Sequence, residues 1–349
     1  MLQIGIIGLG KMGRLHLSNC RFIEGVNVVA GADPSDRARA RTKKQLSSLK
    51  LYKSYEEMLD QVALDAVVIA LPNFLHHQAV QAASEKRVNI FIEKPLGRST
   101  AECKDIIRLA NNNGVTLMVD HNYRFLPCVE KLRKRYVEGT LGDIEIATFE
   151  FVMNGPFTAT FEPFAVPEWW FDPEKVGGGV LLDLGYHILD LFLWFFGRVN
   201  VEYAKFGYRY HLPYEDSATL FLQSQESSVK GVINTGWFSK MIFPDFDFHI
   251  NLHGTHGFLS SDLLMPGNFY THAVKEGLKN FARRITGRKI HPLTYTYYYT
   301  SYLKSLSAFL EGLKTGADPM IPGENGLETL KVIEEAYQKG KMLTQTITS

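Results

Sequence analysis

The sequence predicts an α/β fold in two parts: an N-terminal doubly wound parallel sheet, then an α+β domain on a largely antiparallel open sheet. Three observations predict it. Over the first 120 or so positions, short apolar β-branched runs alternate with longer amphipathic segments, as strands covered by helices on both faces require. After about Asn122, strand-like runs arrive in succession without the long crossover helices that parallel pairing needs. The chain also has 349 residues, more than the roughly 250–300 at which single cores split. The expected domains are residues 1–122 and 123–349.

Taken in order, the first-domain strands are expected at 3–7, 26–32, 66–71, 88–92 and 115–119. Each is four to eight residues long and apolar on both faces. The helices between them are expected at 11–22, 35–49, 76–85 and 100–112. In the second domain, strands are expected at 144–153, 201–208, 217–223, 229–237, 248–253 and 258–261. A strongly apolar helix over 180–196 interrupts them, and helices return at 301–313 and 326–343. The last follows a Pro-Gly-Glu-Asn-Gly breaker and has the option of packing back on the first domain.

Composition excludes several classes of function. Lys plus Arg number 38 against 37 Asp plus Glu, which argues against a nucleic-acid partner. Cys20, Cys103 and Cys128 are widely spaced and odd in number, with no Cys-x-x-Cys, so they read as reduced thiols rather than a disulfide framework or zinc site. The N-terminus lacks a basic region and cleavage site and reads as a first strand. No window offers 18 uncharged apolar residues, so no spanning helix is expected, and the expected location is cytoplasmic.

A Gly-x-Gly-x-x-Gly motif formed by Gly8, Gly10 and Gly13 follows the first strand and opens the first helix. Its glycines permit a tight turn, approach of backbone to a pyrophosphate, and close helix–strand packing; Lys11 and Met12 begin a helix whose N–H donors and dipole favour an anion. Asp33 ends the second strand twenty positions after Gly13, placed to accept hydrogen bonds from ribose hydroxyls and to repel a 2′-phosphate. That favours NAD, while Arg37 and Arg39 leave room for NADP. The competing reading makes the glycines a plain turn and Asp33 a helix cap.

Further motifs carry a resemblance: Leu71-Pro72-Asn73-Phe74-Leu75-His76, Glu93-Lys94-Pro95, Asn122-Tyr123-Arg124-Phe125, and the run from Gly177-Gly178-Gly179 through Asp183 to His187. With the glycine motif they lie in the order found in the glucose–fructose oxidoreductase / inositol dehydrogenase / rhizopine-catabolism (Gfo/Idh/MocA) family, which this sequence resembles over about half its length. The resemblance implies a Rossmann domain and a second domain whose open sheet often forms the oligomer interface, hence a homodimer or homotetramer. It further implies that Lys94, Asp183 and His187 act at the substrate carbon. Leu71, Pro72, Asn73, His76, Glu93, Lys94 and Asn122 are expected around the cofactor.

Physical chemistry supports those roles. Lys94 follows a strand at the carboxyl edge of the sheet, where such folds bind ligands, and its ammonium can stabilise a forming alkoxide. Pro95 disfavours helical backbone at Lys94. Asp183 and His187, four apart, share a helix face. His187 titrates near neutrality and can take a hydroxyl proton, while Asp183 can orient the imidazole or bind a substrate hydroxyl. Glycines 177–179 are expected to let backbone approach the ligand. Asp190 is assigned to structure, since three ligands on one helix rarely converge on a metal, and no metal is expected.

At the substrate end, Phe157, Phe161, Phe164, Trp169, Trp170 and Phe171 are candidates to stack on sugar rings or to pack between subunits. Tyr123 and Arg124 are candidate substrate contacts. Val274, Leu278, Phe281, Ala282 and Ile285 form an apolar stripe, with Lys275, Lys279, Arg283, Arg284, Arg288 and Lys289 on or beyond it and Glu276 the one acid. A sugar-nucleotide diphosphate, an anionic membrane or plain solvent could face it. Tyr295, Tyr297, Tyr298, Tyr299 and Tyr302 follow as candidate interface residues. The expected function is interconversion of a secondary hydroxyl and a ketone on a sugar, polyol or sugar nucleotide. An NAD-dependent glycosidase using transient oxidation and a non-catalytic cofactor-binding regulator are the alternatives.

Overall fold

The apolar run at the N-terminus forms β1 (Leu2–Ile7), whose last four residues are fully buried. The computed structural model describes residues 1–153, 168–237, 246–266, 269–287 and 299–348. β1 is followed by α1 (Lys11–Cys20), β2 (Val26–Ala32), α2 (Asp36–Gln45), β3 (Lys50–Tyr52), α3 (Tyr55–Gln61), β4 (Ala66–Ile69), α4 (His76–Glu85), β5 (Asn89–Ile92), α5 (Thr100–Asn112) and β6 (Leu117–Val119). The strands pair in parallel in the order β3-β2-β1-β4-β5-β6. The order reverses beside β1, so the turns after β1 and β4 diverge at the carboxyl edge, the switch point at which such sheets bind ligands.

β3 and α3 escape the periodicity reading. Three residues are too few to show a period, and the seven of α3 are announced only by Ser54, whose side chain caps Glu57 N. α4 and α5 begin and end as expected.

The chain divides into two compact units, and the division is not one cut near residue 122. The first comprises Met1–Gly97, Glu102–Leu126 and Pro266–Glu324; the second Arg98–Ala101, Pro127–Met265 and Asn325–Ser349. The late segment joins the first unit because α10 (Tyr299–Thr315) buries Leu306, Phe309 and Leu310 in one core with Ile4, Ile6, Val68, Phe91 and Met118. Each such buried side chain contributes about 1.5–3 kcal/mol. Val119 N donates to Ile321 O at 3.0 Å, which fixes the chain just after α10 to the end of β6.

The second unit holds α6 (Pro127–Val137), β7 (Ile144–Met153), α7 (Pro173–Val176), α8 (Tyr186–Phe196), β8 (Val199–Gly207), β9 (Ser217–Ser224), β10 (Lys230–Gly236), β11 (Phe246–Gly254) and β12 (Gly257–Ser260). Its sheet runs β12-β11-β7-β10-β9-β8. All pairs are antiparallel except β7 with β10, between which the chain makes its long excursion through α8. α8 covers one face: Phe192 stacks edge-on to Phe149 at 5.3 Å and lies where a Cβ on Gly231 would fall, 2.5 Å away. The stretch Pro173–Phe196 is long and apolar enough to cross a membrane, yet 83% of that window is buried. It is core.

Two helices remain. α9 (Phe269–Ile285) belongs to the first unit. α11 (Gly323–Thr348) begins inside the expected breaker, at Gly323, which has no room for a side chain against Ile107 and Leu117. From Asn325 onward α11 groups with the second unit, where Tyr337 hydrogen-bonds Glu215 and Gly340 lies against Phe206; its Glu334 also accepts from Thr100 N and Oγ1 at the start of α5.

Candidate functional site

In the first unit, the three motif glycines have distinct duties. A Cβ on Gly8 would lie 2.4 Å from Ala70 O, and one on Gly13 only 1.8 Å from Gly8 O. Those two glycines let backbone pack on backbone. Gly10 differs: a Cβ there would meet nothing within 4 Å. It is exposed and forms the N-cap of α1 with no side-chain cap, leaving the helix N-terminus open to an anion.

Asp33 is aimed at the same turn. Its Oδ2 accepts from Leu9 N at 2.8 Å and its Oδ1 from Ser35 N at 2.8 Å. Ser35, not Asp33, caps α2, so the cap reading of Asp33 fails. Each carboxylate oxygen retains capacity for a further donor. The open cradle at Gly10 and the fixed carboxylate at Asp33 fit the pyrophosphate and ribose of a dinucleotide. Lys11 and Arg37 are exposed and Met12 half-buried. Arg39 pairs with Asp36 and donates to Asp33 O, so its cation is already engaged.

The turns after β4 and β5 are tied together from below. Leu71, Pro72 and Asn73 are half-buried, as is Lys94, whose peptide to Pro95 is cis. His76 is fully buried, its ring between Leu71 O and Pro95 O, each 3.0 Å from a ring nitrogen. Burial holds its pKa down despite those carbonyls. His76 was expected at the cofactor; with no exposed surface it is a strut between two loops.

Glu93 and Asn122 also turn into the interior. Glu93 is 8% exposed and Asn122 is wholly buried. Glu93 Oε1 lies 2.8 Å from His16 Nε2, with Asp120 Oδ2 3.6 Å from that nitrogen. Burial opposes charge on His16, but the hydrogen bond and charge of Glu93 and the charge of Asp120 outweigh it, so its pKa is raised. Burial, then the Glu93 charge, push Asp120 up to about 8. Asn122 Nδ2 donates to Ser301 Oγ at 2.9 Å, joining the end of β6 to α10. Tyr123 and Arg124 follow in the same short helical turn, both buried.

In the second unit, Asp183 sits in a single π-helical turn, Leu181–Gly185, that runs directly into α8. The two residues therefore do not share an unbroken α-helix. π turns recur at functional sites because they re-aim side chains. Asp183 is half-buried; His187, in the first turn of α8, is 6% exposed and rests against Phe151 at 6.1 Å.

What fixes this turn was not foreseen. Glu215, 3% exposed, accepts from Leu181 N and Tyr337 Oη through Oε1, at 3.0 and 2.8 Å, and from Gly179 N through Oε2 at 3.2 Å. Its own carbonyl accepts from Val180 N at 3.1 Å. The glycines serve this clamp: a Cβ on Gly179 would lie 2.0 Å from Glu215 O, and one on Gly178 would lie 2.5 Å from Tyr337 Oη. The expectation that they clear space for ligand is corrected at these two positions. They clear space for Glu215 and Tyr337.

Tyr214 donates to Trp170 O at 2.5 Å, and the Trp237 ring lies 5.8 Å from that of Trp170 and 6.0 Å from that of Tyr214. Burial, then the charges of Asp183 and Glu215, push Tyr214 up to about 12. Trp170 thus belongs to a packed aromatic cluster near Asp183; Trp169 leans on it at 5.8 Å, and Phe171 is exposed. Phe157, Phe161, Phe164, Arg288, Lys289, Tyr295, Tyr297 and Tyr298 lie outside the described residues. Asp190 is 1% exposed within α8. Among the described residues, His16, Glu93 and Asp120 cluster closely enough to suit a metal, and that group includes none of Asp183, His187 and Asp190.

Comparison with known proteins bears on both units. Residues 2–121 match the model of an oxidoreductase family with an NAD-binding Rossmann fold, and residues 129–260 match the GFO/IDH/MocA C-terminal domain. The myo-inositol 2-dehydrogenase of Thermotoga maritima is 25% identical over 337 residues, 93% of this chain and 92% of that one. Two solved structures share the fold. The WlbA dehydrogenase of Bordetella pertussis, in complex with NADH and UDP-GlcNAcA, has a TM-score of 0.75 at 18% identity, covering 97% of this chain and 96% of that one. The myo-inositol 2-dehydrogenase of Lactobacillus plantarum has a TM-score of 0.80 at 17% identity, covering 98% and 97%. The chain belongs to the GFO/IDH/MocA oxidoreductase family and carries its NAD-binding domain.

Proposed function

We propose that the protein is an NAD(H)-dependent dehydrogenase that interconverts a secondary hydroxyl and a ketone on a sugar, polyol or sugar nucleotide. The observation that carries this reading is the open helix N-terminus at Gly10 beside a carboxylate held by Leu9 N, in a chain that also bears Lys94, Asp183 and His187. The relatives named for inositol and the one solved with a nucleotide sugar support the substrate class. Asp33 disfavours a 2′-phosphate, which supports NAD over NADP.

When bound, the nicotinamide supplies the hydride acceptor or donor. The protein's side chains hold the substrate and move the proton. Lys94 Nζ donates to the reacting oxygen and stabilises negative charge as it grows there. A ring nitrogen of His187 takes the hydroxyl proton in oxidation and returns it in reduction. Asp183 accepts from a substrate hydroxyl or from the imidazole and so orients one or the other. Leu71, Pro72 and Asn73 border the cofactor, while Tyr123, Arg124, Trp169 and Trp170 contribute to substrate binding.

The reading extends to assembly and place. The sheet of the second unit buries Phe149, Leu220 and Ile233 on one face, yet exposes Ile146, Tyr203, Phe221 and Phe258 on the other. An exposed apolar sheet face favours burial against a second copy, so the protein is a homodimer or homotetramer through this face, and it works in the cytoplasm.

Reduction of NAD⁺, followed by absorbance against sugars, inositols and UDP-sugars, tests the proposal. One substrate class should yield net reduced cofactor. His187→Ala and Lys94→Ala should each lower kcat at least a hundredfold, with little change in NAD affinity. Unchanged turnover in both variants, or sugar release without net reduced cofactor, would overturn it.

A further inference from the structure

α9 is amphipathic in the wrong sense for a helix lying on a protein surface. Val274, Leu278, Phe281 and Ile285 recur at i, i+4, i+7 and i+11 and so form one stripe. They are 63%, 65%, 66% and 71% exposed. The opposite side is polar and turned inward: Asn280 is 5% exposed and accepts from Arg283 at 3.0 Å, while Glu276 and Arg283 are half-buried. Four large apolar side chains held in solvent on one helix form a contiguous patch of the kind that marks an interaction surface.

The charges around the stripe identify what it meets. α9 contains four cationic residues and one acid. The acid, Glu276, is half-buried and paired with Lys279 at 2.5 Å and Arg283 at 3.8 Å, and those partners hold its pKa down. By helical geometry Lys275 borders one edge of the stripe and Arg284 the other, both exposed, while Lys279 lies further round beside Glu276. The outward half of α9 is thus an apolar band with cations along both margins. A second copy is a poor occupant, since symmetric pairing would set these cations against their own counterparts. Anionic headgroups suit the margins and acyl chains the band.

We propose that α9 docks on an anionic bilayer surface, lying in the interface plane with Val274, Leu278, Phe281 and Ile285 inserted and Lys275 and Arg284 at headgroup level. The docking makes the protein a peripheral membrane protein and is independent of the dehydrogenase reading.

Flotation with vesicles of phosphatidylcholine alone, or with about a third phosphatidylserine, tests this on the full-length protein. The wild type should float with the anionic vesicles, much less with the neutral ones, and less as salt rises. Leu278→Asp/Phe281→Asp should cut the bound fraction at least tenfold. Lys275→Glu/Arg284→Glu should do likewise without touching the apolar band. Because these side chains are exposed, NAD affinity, Tm and oligomeric state should stay unchanged in both variants. Three results would overturn the proposal: no binding to anionic vesicles, equal binding to neutral ones, or binding indifferent to both variants. An oligomer that the Leu278→Asp/Phe281→Asp variant dissociates would also overturn it, by assigning the stripe to another copy.

Discussion

Tyr337→Phe removes one oxygen and tests whether the clamp on Glu215 sets the position of Asp183 and His187. The Glu215 carboxylate is almost wholly buried and its charge is stabilised by three donors, Gly179 N, Leu181 N and Tyr337 Oη. Burial leaves its pKa raised despite them, so no donor is surplus. Losing a hydrogen bond to a charged, desolvated acceptor costs about 1.5–3 kcal/mol. For a chain of this size, that corresponds to a fall in Tm of roughly 2–4 °C. Glu215→Gln should cost more, because its amide NH₂ would face N–H groups that need an acceptor.

The kinetic consequence follows from where the lost bond acts. Leu181 N opens the π turn that carries Asp183 and leads into α8, so a looser clamp misplaces both proposed catalytic groups. Assayed well below its Tm, Tyr337→Phe should show kcat on the best sugar reduced about tenfold or more, since small misplacements at a reacting centre are costly. The KM for NAD should be unchanged, because the cofactor motif lies in the other unit. An unaltered Tm would refute the hydrogen-bond argument. A lowered Tm with full kcat would refute the positioning argument and leave Glu215 a purely structural residue.

The glycine motif and the buried triad offer independent checks. Gly10→Ala should leave Tm unchanged while weakening NAD binding tenfold or more, about 1.4 kcal/mol, by isothermal titration; Gly13→Ala should instead destabilise the fold by about 3 kcal/mol or more, because its Cβ has no space beside Gly8 O. Asp120 is an acid whose native pKa, about 8, exceeds its ordinary 3.8. Its contribution to stability is therefore full below about 4 and lost as pH rises through about 8. The raised His16 pKa acts in the same direction above its ordinary 6.5. Denaturant midpoints should fall between pH 6 and pH 9, and Asp120→Asn should flatten that slope; an equal slope in the variant would count against the assignment.

Much of the fold was legible because local pattern and tertiary role agreed. β2, β7, α4 and α5 carry their period or their caps in the sequence, and the structure bounds β2 as Val26–Ala32 and β7 as Ile144–Met153, as expected. What stayed hidden was allegiance. Leu306, Phe309 and Leu310 give α10 an apolar face, but no period says which sheet that face covers. α9 hid its orientation in the same way: the stripe at 274, 278, 281 and 285 marks a helix, and only the exposures reveal that it points outward. Glu215 was invisible for another reason. It lies 32 residues beyond Asp183, and its partner Tyr337 is 122 residues further on, so no spacing rule connects them.

The candidate site shows why motif residues do not divide neatly into scaffold and chemistry. Glu93 and Lys94 are adjacent, yet Glu93 turns inward to His16 while Lys94 stays half-exposed at the sheet edge. His76 and Asn122 anchor the neighbouring loops and have no surface to offer a cofactor. An alanine at Glu93 or His76 would thus lower activity for a reason that has nothing to do with proton or hydride transfer. The physical distinction lies in what else changes. Removing Glu93 strands His16 and Asp120 in a dry interior, which costs stability and shifts its pH dependence together with activity. Lys94 reaches that triad through its charge, which pulls the Asp120 carboxyl down against burial, so its loss should appear chiefly in turnover, with a smaller change in the unfolding midpoint than the loss of Glu93 brings. The pairing of those two measurements at positions 93 and 94 separates the residue that holds the loop from the one proposed to act on the substrate.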